Sequence, residues 1–153
     1  MKAEYIACLV NGFVNVTSMM GMSSWQRTGL NKRDKLRTEN DVNIIVGLVG
    51  GVKGNLVFSM QESTARNIAS AMMGGMPVDQ FDLMPKSALC ELANMSAGNS
   101  VSNFEQIGVL LNITPPTLVN GKNIVTMISQ VETLVIQLTG NEGSMEIDVA
   151  LES

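Results

Sequence analysis

The sequence predicts an α+β fold, a mainly antiparallel β-sheet packed with long α-helices. Residues 3–21 and 85–104 repeat apolar side chains at helical spacing. From residue 109 onward the pattern becomes strand-like, with turn signals at Asn120-Gly121 and Asn141-Glu142-Gly143. The chain has 153 residues and shows no internal repeat, linker or low-complexity segment. Residues 1–153 are therefore expected to form a single domain with one core.

The first half of the chain is predicted to hold two helices and a hairpin. Residues 3–21 form a helix with an apolar stripe that includes Leu9 and Phe13. Residues 42–49 and 54–60 are interpreted as two strands joined by a glycine-rich turn. Residues 61–73 follow as a helix closed by two glycines. The sequence thus places helix, hairpin and helix in succession before the long central helix.

The segment 24–40 is polar and contains five closely spaced basic residues. A solvated strand and loop is the preferred interpretation, and a binding patch is the alternative. The basic residues are Arg27, Lys32, Arg33, Lys35 and Arg37.

A long helix is predicted to begin at Pro85, an acceptable residue for a first helical turn. One side of it carries apolar and small residues as far as Phe104, so a neighbouring helix could lie close against it. Asparagine, serine and glycine are frequent in its middle, and helix propensity alone would permit a break near Gly98-Asn99. Four strands are then predicted, over residues 110–114, 124–130, 133–139 and 144–151.

Composition excludes several classes of function. The net charge of −4 and the pI near 4.7 argue against binding nucleic acid or an anionic membrane surface. The chain has no histidine, which removes Ser-His-Asp and Cys-His catalysis and histidine-ligated zinc. Cys8 and Cys90 are interpreted as buried thiols of a reduced protein, and the longest apolar run, 44–52, is too short to span a bilayer. A soluble, cytoplasmic protein is the expectation.

Ser87, Glu91 and Asn94 form the best candidate for chemistry. Their spacings of four and three residues place a hydroxyl, a carboxylate and a carboxamide on one face of a helix. Held rigidly together, a carboxylate and an amide can grip a cation and orient a water molecule. The outward row continues through Gly98, Ser102 and Glu105.

These residues carry a resemblance to a known family. Ser87, Glu91 and Asn94 are followed by Pro115-Pro116, which is similar to the signature of the CheC/CheX/FliY phosphatases of bacterial chemotaxis. The segments 70–76, 91–98 and 113–117 also resemble the CheX branch, and a single copy of the signature agrees with that branch.

The resemblance implies a function in two-component signalling. The family removes the phosphoryl group from an aspartate of a phosphorylated CheY-like response regulator. By this resemblance Asn94 orients the attacking water and Glu91 pairs with the regulator's lysine. Gly98 leaves room for the partner, and Ser87 supports the helix end or the partner contact. Mg²⁺ is expected on the regulator, with no cofactor bound by this chain.

The resemblance also implies one continuous helix through Gly98 and a homodimer joined through sheet edges. The alternative function is a non-catalytic binding module on the same fold, similar to the middle domain of flagellar switch proteins. A ligand-sensing domain has no supporting feature in the sequence.

Overall fold

The computed structural model describes residues 2–152. In this range three helices and nine strands form the α+β fold that the sequence predicts. The helices are α1 (Ala3–Met19), α2 (Glu62–Met72) and α3 (Leu83–Gln106). The strands are β1 (Gln26–Arg33), β2 (Leu36–Thr38), β3 (Val42–Gly50), β4 (Lys53–Met60), β5 (Leu111–Ile113), β6 (Thr117–Asn120), β7 (Thr126–Ser129), β8 (Thr133–Gly140) and β9 (Gly143–Glu152).

Seven strands form one antiparallel sheet in the order β1-β8-β9-β4-β3-β5, and β6 also pairs with β3. The predicted hairpin is confirmed: β3 and β4 pair from Val42 opposite Met60 to Leu48 opposite Gly54. The predicted turn at Asn141-Glu142-Gly143 is confirmed too, because β8 and β9 pair as far as Gly140 opposite Gly143. The sheet is therefore built largely from neighbouring segments of the chain.

The main core lies between this sheet and the three helices. Alternate residues of each central strand point toward the helices, as Leu56 and Phe58 of β4 and Ile147 and Val149 of β9 do. The intervening residues Val57 and Ala150 point to the opposite face, where Leu36 of β2 covers them. The small β2–β7 ribbon thus closes a second, minor core on the far side of the sheet.

Three predictions about these elements need correction. Helix α3 begins at Leu83, two residues before Pro85, because a proline is tolerated anywhere in the first turn. Segment 24–40 is not simply solvated, since Leu36 and Thr38 of the ribbon strand β2 are buried. Strand β6 falls between two predicted strands and was not predicted.

The predicted ambiguity near Gly98 is resolved in favour of a single helix that is continuous from Leu83 to Gln106. Within residues 2–152, no helix is both long and apolar enough to cross a membrane.

Candidate functional site

Close packing against α1 fixes the rotation of α3 about its axis. A methyl group on Gly12 of α1 would lie 2.9 Å from the Ser96 carbonyl oxygen and 3.0 Å from the Ser100 nitrogen. Asn103 Nδ2 donates a 3.0 Å hydrogen bond to the Cys8 carbonyl, which links the same two helices. Because the small side of α3 is held in this way, the opposite side must face solvent.

The structure places the predicted outward row on that solvent side. Ser87, Glu91 and Asn94 are all exposed, whereas Leu92 and Ala93 between them are buried. The side-chain hydrogen bonds of α3 in the described part of the chain are made by residues 99, 100, 102 and 103. The three predicted site residues are therefore fixed on a helix, and their side chains make no hydrogen bond within the described part of the chain.

The predicted proline segment faces this row across a shallow groove. The groove has a volume of about 700 Å³. One wall is the chain from Ile113 to Pro116, and the other is the near side of α3. The α3 wall consists of Leu83, Lys86, Ser87, Cys90, Glu91 and Asn94. Residues that lie between nineteen and thirty-three positions apart in sequence thus share one surface.

The position of the proline wall follows from strand pairing. Leu48 of β3 pairs with Ile113, and Ile45 pairs with Thr117. Three residues, 114–116, therefore lie opposite two residues of β3, which makes a β-bulge at the two prolines. Thr114 is held there by Gly47, whose nitrogen donates to Thr114 Oγ1 at 2.8 Å and whose carbonyl accepts from the Thr114 nitrogen at 3.0 Å.

Gly98 continues the row and leaves open space above it. A methyl group added at Gly98 would meet no atom within 4 Å. A role for this space in partner binding stays a prediction.

Cys90 differs from its prediction. Cys8 is buried as predicted, but Cys90 is half-buried and lines the groove beside Glu91. Desolvation by burial raises the pKa of the Cys90 thiol above its ordinary value. The thiol is therefore protonated near neutral pH and is a poor nucleophile.

A second polar cluster lies on the far face of the sheet, and no pattern in the sequence indicated it. Arg33 Nη1 is 2.9 Å from Glu146 Oε2 and 3.4 Å from Asp148 Oδ2. Asp148 is fully buried, and this burial, together with the neighbouring Glu146, raises its pKa to about 9. One member of the predicted basic run is thus an internal partner of β9 carboxyl groups and does not belong to a free binding patch.

In the range 2–152, no three or more histidine, cysteine, aspartate or glutamate side chains gather closely enough to hold a metal ion. The groups that the site offers are a carboxylate, a carboxamide and a hydroxyl on an open surface.

Comparison with known proteins agrees with the resemblance seen in the sequence. The family model described as "Chemotaxis phosphatase CheX" matches residues 42–139. The curated relative "CheY-P phosphatase CheX" of Thermotoga maritima is 42% identical over 80 residues, which span 52% of this chain and 52% of the relative. The alignment therefore spans about half the length of that relative.

Solved structures extend the likeness to nearly the whole chain. A chemotaxis protein CheX from Desulfovibrio desulfuricans superposes with a TM-score of 0.87 at 20% identity, covering 97% of this chain and 99% of that one. The CheX–CheY–BeF₃–Mg²⁺ complex from Borrelia burgdorferi gives a TM-score of 0.81 at 26% identity, with coverage of 97% and 98%. Because the family model covers well over half of the chain and the fold agrees, this chain belongs to the CheX family of chemotaxis phosphatases.

Proposed function

We propose that this chain hydrolyses the aspartyl phosphate of a phosphorylated CheY-like response regulator. The observation that carries the proposal is the row of exposed, unengaged side chains at Glu91 and Asn94 on a rigid helix. The named activity of the Thermotoga maritima relative and the CheX–CheY complex from Borrelia burgdorferi support the substrate class. A non-catalytic module would have no evident use for both side chains.

The proposed reaction is attack by water on phosphorus. The water oxygen forms a bond to phosphorus, the bond to the aspartyl carboxylate breaks, and inorganic phosphate leaves. Asn94 holds the water in line, because a carboxamide presents a donor at one end and an acceptor at the other. The regulator supplies the phosphoryl group together with its own lysine and Mg²⁺, so this chain brings no metal.

Glu91 has the docking role in this proposal. Its exposed carboxylate pairs with the regulator's lysine, and a charge-assisted hydrogen bond of this kind fixes both position and orientation. Asn94 lies three residues farther along the helix, on the same face. Pairing at Glu91 therefore carries the Asn94 carboxamide to the phosphoryl group. Ser87 extends the contact by one turn, and Gly98 provides clearance for the partner.

The proposal is tested by timing dephosphorylation of a panel of phosphorylated receivers from the same organism. Asn94→Ala should lower kcat by roughly 100-fold or more, as expected when a positioned water is lost, and leave receiver binding largely intact. Glu91→Ala should weaken binding as well as turnover. Glu4→Ala, an exposed glutamate in the first turn of α1 and outside this row, is the matched control and should behave as the parent.

Two outcomes would contradict the proposal. If the phosphorylated form of every receiver decays at an unchanged rate, the chain is not a phosphatase of these receivers, and the alternative function, a non-catalytic binding module, is favoured. If Asn94→Ala and Glu91→Ala both retain the parent rate, this helix face is not the active site.

The proposed assembly is a homodimer formed through a sheet edge. Strand β1 pairs with β8 along one side, and among residues 2–152 no strand pairs with its other side. Every β1 side chain is exposed or half-buried, so the edge is accessible to the edge of a second copy. Light scattering over a dilution series should give twice the monomer mass, and a monomer at all concentrations would contradict this assembly.

The proposed location is the cytoplasm. Both cysteines are free thiols, as is usual in a reducing compartment.

A further inference from the structure

The groove beside the proposed active site has an apolar end that catalysis does not use. Leu83 is the first residue of α3 and is 78% exposed. It lines the groove with Ile113, Pro115 and Pro116. A leucine side chain left in water forgoes the favourable free energy of burial, so its position at the mouth of a groove suits contact with a partner.

The geometry makes Leu83 an extension of the proposed docking row. Leu83, Ser87, Glu91 and Asn94 are spaced by four, four and three residues, so they follow one side of the helix. With a rise of 1.5 Å per residue, Leu83 lies about 12 Å from the level of Glu91 and about 16 Å from that of Asn94. A folded receiver seated on Glu91 and Asn94 would reach this far along the helix.

The size of protein interfaces supports the same conclusion. Specific complexes bury about 800 Å² on each partner, with some 20–30 residues a side, and transient ones somewhat less. Three polar side chains cannot supply that area. The groove is continuous with them, because Ser87, Glu91 and Asn94 are also among its lining residues.

The groove is also preorganised. The prolines restrict their own backbone, and the paired hydrogen bonds between Gly47 and Thr114 fix the bulge that carries them. A wall that is already rigid loses little conformational entropy when a partner binds. The apolar end is thus suited to hold a side chain from the partner.

We propose that Leu83 and the Ile113–Pro116 wall form a docking subsite that binds an apolar side chain on the surface of the phosphorylated receiver, 10–20 Å from its phosphoaspartate by the roughly 1.5 Å rise per residue of α3. This inference rests on the proposed function and adds a specificity determinant to it. Glu91 and Asn94 act at the phosphoryl group, whereas the subsite sets which receiver binds and how tightly.

Leu83→Ala tests the subsite by steady-state dephosphorylation of the receiver. Truncation removes part of the buried apolar area, so KM should rise about tenfold while kcat stays within about twofold of the parent. Leu83→Met, which preserves apolar volume, should keep KM within about threefold. Leu110→Ala is the matched control: Leu110 is similarly exposed, at 69%, but lies beyond the opposite end of α3.

A binding measurement separates this subsite from the active site. Affinity for the Mg²⁺- and beryllofluoride-loaded receiver should fall about tenfold in Leu83→Ala and remain near the parent value in Asn94→Ala. An unchanged KM and affinity in Leu83→Ala would overturn the subsite, as would a lowered kcat at constant KM. A change in the protein's own mass in that variant would assign the groove to a second copy and also overturn it.

The two proposals fail in different ways. If Asn94→Ala is inactive and Leu83→Ala matches the parent, only the subsite is wrong. If Asn94→Ala and Glu91→Ala both keep full activity, the assignment of the active site is wrong, and if the parent protein speeds the decay of no receiver, the proposed function itself fails.

Discussion

Replacing Gly98 by alanine should stabilise the protein. Gly98 lies inside α3, where glycine is less favourable than alanine by about 0.5–1 kcal/mol because it loses more backbone entropy on folding. A methyl group there meets nothing within 4 Å, so no overpacking offsets the gain. The free energy of unfolding should therefore rise by about 0.5–1 kcal/mol, equivalent to about 1–4 °C in Tm for a chain of this size.

Gly12→Ala is the matched control, with the opposite sign. It receives the same propensity gain, but its methyl group would press on the Ser96 carbonyl oxygen at 2.9 Å and the Ser100 nitrogen at 3.0 Å. Both are backbone atoms of α3 and can move only if the helices separate. Overpacking costs about 1–3 kcal/mol, so the net effect should be destabilising by up to about 2 kcal/mol.

Urea denaturation followed by tryptophan fluorescence measures both variants. Trp25 is the single tryptophan, and it is buried against Phe13 of α1, so its emission reports tertiary structure. The urea midpoint should rise in Gly98→Ala and fall in Gly12→Ala at an unchanged slope. A lowered midpoint in Gly98→Ala, or a raised one in Gly12→Ala, would refute the reasoning.

The remaining predictions concern the row and the far face of the sheet. Gly98→Gln should keep the free energy of unfolding within about 0.5 kcal/mol of the parent but raise KM for the receiver severalfold, because the new side chain fills the space predicted for the partner; an unchanged KM would show that the space is unused. Because the pKa of Asp148 is raised from 3.8 to about 9, folding takes up a proton. Stability is therefore greatest below the ordinary pKa of an aspartate and falls as the pH rises toward about 9, because the unfolded state then loses the proton that the folded state retains. Asp148→Asn should flatten that slope in urea titrations at pH 5–8, and an equally steep slope would contradict the assignment. Asn43→Ala should cost about 2–4 kcal/mol in the same assay, since buried Asn43 Oδ1 accepts hydrogen bonds from Thr38 and Ser59; a loss below 1 kcal/mol would contradict this.

The local elements follow from the sequence because their causes are local. Glycine pairs at the β3–β4 turn and after α2, and the Asn141-Glu142-Gly143 turn, mark ends that depend on a few neighbouring residues. The candidate face is equally local: helical spacing alone brings Ser87, Glu91 and Asn94 together. These three residues are where the sequence placed them, exposed and in one row.

Other features depend on contacts that the sequence pattern does not reveal. Strand β6 follows two prolines that interrupt the hydrogen-bond ladder with β3, so no alternation of apolar and polar residues predicts it. The burial of Leu36 comes from the β2–β7 ribbon, which joins residues about ninety positions apart. One apolar residue within a basic run gives no periodic signal that would have predicted it.

By itself, the sequence determined the α+β class, the chemical groups of the candidate site and their common helical face, because each is set by residue type and short-range spacing. Residue propensity left the continuity of α3 through Gly98 open, although the family resemblance implied it; the tertiary structure decided it, because close packing of Gly12 against Ser96 and Ser100 outweighs weak helix propensity. It alone also placed the proline wall beside Leu83, because that wall reaches α3 by pairing with β3, some seventy residues away along the chain.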